Sequence, residues 1–392
     1  MKNKKQLALL SLLHKIVDVF SGFFLNIYLF KITDGNFNFI LFYAITVSVV
    51  NIFLYYFILL NLSSKNAKFI FRSGYVCEVL SILLLLIARE NIINFIWVFI
   101  LLSRYSTSAY YSVHEITLIG SIGKHSVSSY QAGVSILSSI IGLIAPVFLG
   151  FLITDFSYSV AMVVILIVAL ISSFIASKMN FTVIDRDFHL FRYWRKVAKN
   201  KTMKKAYLAF YLRRLSGPDG MLKYLIPILL FLSLGTEFSA GSYDSLFSVV
   251  YIILLEIVRI FNKKGLAKRF YIPLALLCLC SALVMVANFN TITILLFYFT
   301  INTGAHLIQT ESDSMIYAIG KKEGMSRHTK EHKCTWDLCL SLGNITGVLI
   351  AYIVYNHFYT QNAFAVIITI FMAIQVVYAY FLQKIEIKLK NK

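Results

Sequence analysis

The residues able to carry chemistry in this chain are charged and polar side chains set inside otherwise apolar stretches. In the first stretch His14, Asp18 and Ser21 share one helical face, with Gly22 and Asn26 beside it. In the fourth, Arg104, Ser108, Tyr111 and Glu115 follow steps of four, three and four, which stacks them in one stripe of a helix. The tenth repeats that spacing with Asn302, His306, Gln309 and Asp313, and the seventh carries Arg213 followed by Ser216-Gly217-Pro218-Asp219-Gly220. A carboxylate, an imidazole and a guanidinium facing one another can take up, hand on and release a proton. An imidazole with its ordinary pKa of about 6.5 does so readily, and an arginine beside a carboxylate competes with the proton for it. A plainer role stands beside this one. An Arg104–Asp18 pair is equally a structural clamp, and His306 is equally a group that hydrogen-bonds between helices.

The stretches that must position these groups are long. Apolar segments near 8–31, 38–62, 68–88, 93–119, 129–153 and 157–178 are followed by a second set near 204–233, 240–261, 268–287, 291–317, 333–356 and 361–383. A helix needs roughly 20 apolar residues to cross a hydrocarbon core of about 30 Å. The composition agrees: 59% hydrophobic and 14% charged residues, with a mean hydropathy of +0.76, describe a chain whose solvent is mostly lipid. Because hydrocarbon offers no water to unpaired amides, such segments cross as helices. The expected fold is an all-α integral membrane protein with twelve transmembrane helices in two six-helix halves, at 1–178 and 204–392, joined by a linker at 179–203. Each intramembrane charge costs roughly 2.5–3.5 kcal/mol at a helix centre, so the polar stripes must face one another or water. A hydrated central path between the first, fourth, seventh and tenth spans follows.

The net charge of +19 is not spread evenly. Lys2, Lys4 and Lys5, then Lys65, Lys68 and Arg72, Lys124, the 179–205 segment, Lys263 to Arg269, Lys321 to Lys333 and the last residues are basic. The intervening loops hold Asp34, Glu90, Asp155, Glu237 and Asp244. The positive-inside rule then puts both ends and the linker in the cytoplasm, with the plasma membrane as the expected location. A nucleic-acid partner is disfavoured, since no soluble domain carries the charge. The first span, holding Lys15 and Asp18 and lacking an A-x-A-like exit, is expected to be a signal anchor. Cys77, Cys278, Cys280, Cys334 and Cys339 form no C-x-x-C pair, so packing is their expected role and no metal site is indicated. In the linker, Leu190, Phe191, Trp194 and Val197 share a face, which predicts a helix on the cytoplasmic lipid surface acting as a spacer between the bundles. Glu78, Glu256 and Arg259 are assigned to helix-end or gate contacts.

The halves echo one another. Gly123-Lys124 after the fourth span parallels Gly320-Lys321 after the tenth, and Ser21-Gly22 parallels Ser216-Gly217. Parallel halves of this kind mark two bundles that rock about a shared cavity. Gly217, Pro218 and Gly220 break the seventh helix there and are expected gating residues.

On these residues the chain resembles the major facilitator superfamily over nearly its whole length. Arg104-Tyr105-Ser106-Thr107-Ser108 is placed like the superfamily's fourth-helix R-x-x-x-G motif, with Ser108 where the glycine stands. The run from Thr117 to Ala132 is similar to the corresponding turn of macrolide-efflux and enterobactin exporters, and Gly142-Leu143-Ile144-Ala145-Pro146 to Gly150 resembles a degenerate antiporter motif, which implies that Gly142, Pro146 and Gly150 bend the fifth helix as gating residues. The segment Asn61 to Phe69 departs from the G-x-x-x-D-x-x-G-R pattern, lacking its aspartate and glycines. The resemblance implies a secondary active transporter that exports a small amphipathic compound in exchange for protons. Asp18, Arg104 and Glu115 would couple the proton, with His14, Asn26, Ser108, Tyr111, Arg213, Asp219, Asn302, His306, Gln309 and Asp313 around the substrate. Its expected partners are the lipid bilayer, a small-molecule substrate and protons, with the chain a monomer and no cofactor. A lipid flippase of the same fold, or a receptor or assembly partner that transports nothing, are the alternatives. No G-x-x-x-x-G-K-[ST], H-E-x-x-H or G-x-S-x-G sequence is present, so an ATP-driven pump or an enzyme is disfavoured.

Overall fold

The computed structural model describes residues 2–121, 124–179, 187–263, 267–309, 328–358 and 362–390, and no strand occurs among them. The first span is not a simple helix: α1 (Lys2–Val19) passes through a π-helical turn (Phe20–Phe24) into α2 (Leu25–Ile32). The first half continues through α3 (Phe37–Asn61), α4 (Ala67–Ala88), α5 (Ile96–Ser121), α6 (Lys124–Asp155) and α7 (Tyr158–Ser177). After α8 (Leu190–Lys199) in the linker, the seventh span is split into α9 (Lys201–Ser216) and α10 (Leu222–Leu234). Then come α11 (Glu237–Lys263), α12 (Tyr271–Ala287), α13 (Thr291–Thr300) with a second π-helical turn (Ile301–Ala305), α14 (Thr329–Phe358) and α15 (Asn362–Lys390). Eight described helices are long and apolar enough to cross a bilayer, or up to nine with the bent α10–α11 pair, and the whole sequence of elements accords with twelve passes.

Local chemistry sets the turns. Asn36 caps α3 by accepting from the Phe39 amide, Ser157 caps α7 through the Val160 amide, and Asn290 forms a reciprocal capping box with Thr293 ahead of α13. Gly235, at φ +81°, closes α10 in the left-handed region that glycine enters without strain, and α11 leaves at 120° to α10. The loops therefore reverse the chain within a few residues, and successive helices lie antiparallel.

Two antiparallel helix pairs join the halves. Along α3 and α14, Asn38 bonds Asn356 (3.1 Å), Asn344 donates to Ser48 (2.6 Å), and Lys330 reaches the Leu62 carbonyl. Along α6 and α11 the backbones nearly touch. A Cβ at Gly150 would lie 2.7 Å from the Glu237 carbonyl oxygen, and one at Gly241 would collide with the Pro146 carbonyl. Small residues permit this approach where apolar burial drives little association in lipid.

The cores distinguish the two edges of the molecule. At the edge away from the linker one apolar cluster runs through both halves, including Phe24, Phe37, Leu152, Leu225, Phe297 and Phe364. At the linker edge the core is divided. One cluster around Leu10, Phe71 and Tyr110 belongs mainly to the first half, and another around Phe210, Tyr271 and Tyr378 to the second.

The linker helix sits over this divide, which corrects the expected lipid-facing spacer. Leu190 packs into the first-half cluster, Tyr193 into the second, and Trp194 touches both, while Phe191 is 70% exposed. The polar tips explain the choice, because the protein can satisfy them and hydrocarbon cannot. The Trp194 indole donates to Thr335 (3.0 Å) and the Tyr193 hydroxyl meets that of Tyr207 at 2.7 Å.

The α6–α11 contact yields a direct test. Gly241→Val is expected to force the helices apart against the Pro146 carbonyl and to cost about 1–3 kcal/mol, as overpacking does. A lowered thermal unfolding midpoint in detergent would report it, with Gly35→Val, whose Cβ position is far more open, not serving as control because of its φ of +78°. Gly142→Ala, which meets only the Lys15 stem at 3.6 Å, is the control expected to change little.

Candidate functional site

The polar stripes are helical by the same periodicity that places them, and the irregular backbone lies beside them. The π-helical turns hold Ser21 and Gly22 in the first span and Asn302 in the tenth, and the break after Ser216 holds Pro218 and Asp219. Irregular backbone at membrane depth is tolerated where it faces a cavity. Here it does: Ser21, Gly22, Pro218, Asp219 and Asn302 all line a cavity of about 550 Å³ between the halves.

Asp18, Arg104, Tyr111, Arg213, Asp219, Asn302 and His306 line that cavity. The Tyr111 hydroxyl donates to Asp18 at 3.3 Å, and Arg213 meets Asp219 at 3.2 Å with Arg214 at 3.9 Å. Gln309 also donates to Asp219. Asp219 is thus held inside its own half by three partners.

Other expectations are corrected. Asp18 and Arg104 form no ion pair within 4 Å, and no described carboxylate pairs with Arg104, whose Nε has no partner. His14 lies behind the cavity wall, 3.2 Å from Glu78 and 3.7 Å from Asp18, with both His14 and Glu78 side chains only 5% exposed. Glu78 is therefore no helix-end group; it sits at the middle of α4, where a lone carboxylate would be intolerable without His14. Ser108 is fully buried with an unpartnered hydroxyl and does not reach the cavity. Asn26 also turns away from the cavity space, donating to the Gly22 carbonyl (2.8 Å) and, across the halves, to the Lys223 carbonyl (3.3 Å).

Among the gating residues, Gly142 carries the Lys15 stem, Pro146 and Gly150 lie at the α6–α11 approach, and Gly217 and Gly220 sit where a Cβ would strike the Arg213 and Arg214 carbonyls. Asp313 and the turn near Gly320 lie outside the described residues, as do the side chains of Glu115, Glu256 and Arg259 and those of Thr117 to Ala132, apart from the ends of their helices.

Sequence reasoning missed several charged groups of the cavity. Asp244, counted with the loops, is on α11 inside the cavity and accepts from the Tyr298 hydroxyl. Lys333, counted as a loop lysine, is buried on α14 and pairs with Asp337 at 3.4 Å. Lys15, Arg214 and Lys223 line the cavity as well. Lys223 carries a usable signal, for it stands alone in the apolar run Leu222 to Leu234. Glu237, also taken as a loop acid, is buried at the edge away from the linker, where Lys31 (2.9 Å) and the Tyr158 hydroxyl (3.0 Å) hold it.

Two bundles of antiparallel helices around a polar central cavity define the major facilitator fold. The chain is similar in structure to a bacterial homologue of the iron transporter ferroportin in an inward-facing state, at a TM-score of 0.68 and 14% identity, over 98% of either chain. It is similar to the nucleoside transporter NupG at a TM-score of 0.72 and 12% identity, over 97% of this chain and 99% of that one. The fucose:proton symporter FucP of E. coli matches at 0.60 and 13% identity, over 97% and 98%. Identities this low establish a shared fold. No family model matches the sequence, and no curated protein matches it.

The buried His14–Glu78 pair and the solvated Asp18 should respond differently to neutralisation. His14→Ala leaves a buried carboxylate unpaired and is expected to destabilise the protein by about 3–5 kcal/mol. Asp18→Asn, at a side chain 38% exposed to the cavity, is expected to leave the unfolding midpoint within a few degrees of wild type. Thermal unfolding of the two variants in the same detergent checks both.

Proposed function

We propose that this chain is a secondary active transporter that carries a small solute across the membrane by alternating access of the central cavity. The observation that carries this reading is the cavity itself: charged residues of both halves line one space deep between them, Asp18 and Arg104 from one side and Arg213, Asp219 and His306 from the other. A ligand there touches both bundles, so its binding energy can differ between their arrangements, which is the requirement for a ligand to drive such a change.

The divided core supports the same reading. The linker edge is held by polar contacts, such as the His189 amide on Glu331 (3.1 Å), and by α8 lying across it. The basic loops and termini lie toward that edge by sequence, which makes it the cytoplasmic side of a plasma membrane under the positive-inside rule. Each chain contains a complete cavity, so a monomer suffices.

Asp18 is the proposed proton-accepting group. It is solvated by the cavity, contacted by Tyr111, and adjoins the His14–Glu78 pair. Export of a small amphipathic compound coupled to protons is the finer reading, supported by the resemblance of Arg104 to Ser108 and of Gly142 to Gly150 to exporter helices.

Proteoliposomes with an imposed pH gradient provide the test. Wild type should show gradient-driven flux of a solute found by screening, whereas Asp18→Asn should retain exchange of that solute across the membrane but lose its accumulation against a gradient. Exchange in wild type with no accompanying proton movement would remove Asp18 from the coupling role.

A further inference from the structure

The charges of the central cavity do not balance. Six cationic side chains line it, namely Lys15, Arg104, Arg213, Arg214, Lys223 and Lys333, against the carboxylates of Asp18, Asp219, Asp244 and Asp337. Their pairing is uneven as well. Asp219 is taken by Arg213 and Arg214, and Asp337 by Lys333. Asp244 accepts from Tyr298. Lys15, Arg104 and Lys223 are left with no carboxylate within 4 Å among the described residues, although Asp18 lies in the space they share.

These three cations come from three elements. Lys15 is on α1, Arg104 on α5 and Lys223 on α10, so the group spans both halves. Glycines make room for it. The Lys223 stem crosses Gly22, where a Cβ would stand 3.0 Å from Cε, and the Lys15 stem lies over Gly142 at 3.6 Å. Lys223 is also exposed, though it sits deep between the bundles, so its accessible surface faces the cavity.

Uncompensated cations at membrane depth are costly, and they persist where they serve a ligand or a pathway. Neutral lining groups add to the polarity. Asn302 has an unpartnered buried Nδ2, and Asn51 and Asn344 each present an unpartnered Oδ1. Of the phenylalanines, only Phe23 lines the cavity among the described residues. Many others, Phe53, Phe57 and Phe174 among them, are exposed on the outer surface of the helices. The aromatic groups that line the cavity are mostly ones with a polar tip, Tyr55, Tyr111, Tyr224, Tyr298 and Trp336, which suits a polar ligand better than a purely apolar one.

We propose that the cargo is a small polar organic anion, its carboxylate or phosphate held among Lys15, Arg104 and Lys223 and its hydroxyl or amide groups by the neighbouring asparagines. The proposal rests on the transport reading above and names the substrate class of that site. It narrows the expected small amphipathic compound to an anion, because a cationic cargo would face three cations that no described carboxylate pairs within 4 Å, with Asp18 alone among them. Arginine supplies a planar fork for two oxygens, and the lysines supply point charges that accept either a carboxylate or a phosphate.

Binding separates the proposal from its parent reading. The purified full chain in nanodiscs would be titrated at fixed ionic strength with succinate, phenyl phosphate and glucose 6-phosphate, and with glucose and phenethylammonium as neutral and cationic counterparts, following the thermal unfolding midpoint. At least one anion is expected to raise the midpoint of wild type while glucose and phenethylammonium do not. Lys223→Gln and Arg104→Gln should each weaken that anion about tenfold or more, as loss of a charge-assisted contact does, and Lys178→Gln, the same change outside the cavity, should not. Asp18→Asn should bind the anion at least as well as wild type, since it removes a competing carboxylate.

No response to any anion, a larger response to phenethylammonium, or an anion response that survives both Lys223→Gln and Arg104→Gln would overturn the proposal. Exchange assays of the same probes in proteoliposomes then discriminate the two levels. Anion binding without movement would sink the transport reading and leave the anion site standing, whereas movement of the cation alone would sink the anion site and leave transport standing.

Discussion

Hydrocarbon cannot solvate charge, and the architecture of this chain follows from where its ionic groups are allowed to sit. Inside the helical body they either pair at once, as Arg213 with Asp219 and His14 with Glu78 do, or they face the central polar cavity. The outer surfaces of the helices carry Phe53, Trp97, Ile167 and Ile353, which lipid accepts without cost. The irregular backbone obeys the same constraint. The two π-helical turns and the break between α9 and α10 release amide and carbonyl groups, and each adjoins the cavity or the packed centre.

The two edges of the cavity are closed by different means. Away from the linker an apolar core continuous through both halves is reinforced by Lys31 on Glu237 and by the Asn38–Asn356 pair. At the linker edge the cores are separate, and Lys330 on the Leu62 carbonyl, Glu331 on the His189 amide and the straddling helix α8 supply the contact. Polar contacts of this kind exchange readily with water, whereas parting a shared apolar core exposes surface that water disfavours. The linker edge is accordingly the easier one to open from this arrangement. The α6–α11 backbone approach at Gly150 and Gly241 adds a close helix contact between the halves.

The all-helical membrane class and the order of the apolar segments were legible because apolar length is a one-dimensional property. Burial side is not. Arg104, Ser108 and Tyr111 share one helix, yet Arg104 and Tyr111 reach the cavity with their long side chains while the short Ser108 side chain stays fully buried between them. His14 and Asp18 stand one turn apart with only Asp18 facing the cavity, since Glu78 on α4 supplies His14 with a partner that sequence spacing does not reveal. Charges near helix ends were read as loop markers, and Asp244 and Lys333 fell into that class, because the ends of α11 and α14 extend further than their apolar windows. The amphipathic linker showed the right face but not its partner. Tyr193 and Trp194 chose protein over lipid once Tyr207 and Thr335 stood within hydrogen-bond reach.

Lys223 connects these observations. It belongs to the second half by covalent structure, and its backbone carbonyl receives Asn26 of the first half. Its charged tip lies over Gly22 and shares the cavity with Asp18 and Arg104. A glycine at position 22 is what lets the ammonium group cross, since a Cβ there would meet the Lys223 Cε at 3.0 Å. Whatever changes the charge around Asp18, whether a proton on its carboxylate or an anion between the lysines, therefore changes the attraction between the two bundles and not merely the occupancy of a pocket. Coulomb interactions in so enclosed a space are screened far less than at a surface. Occupancy of the cavity and the attraction between the two halves are consequently bound to the same few charges.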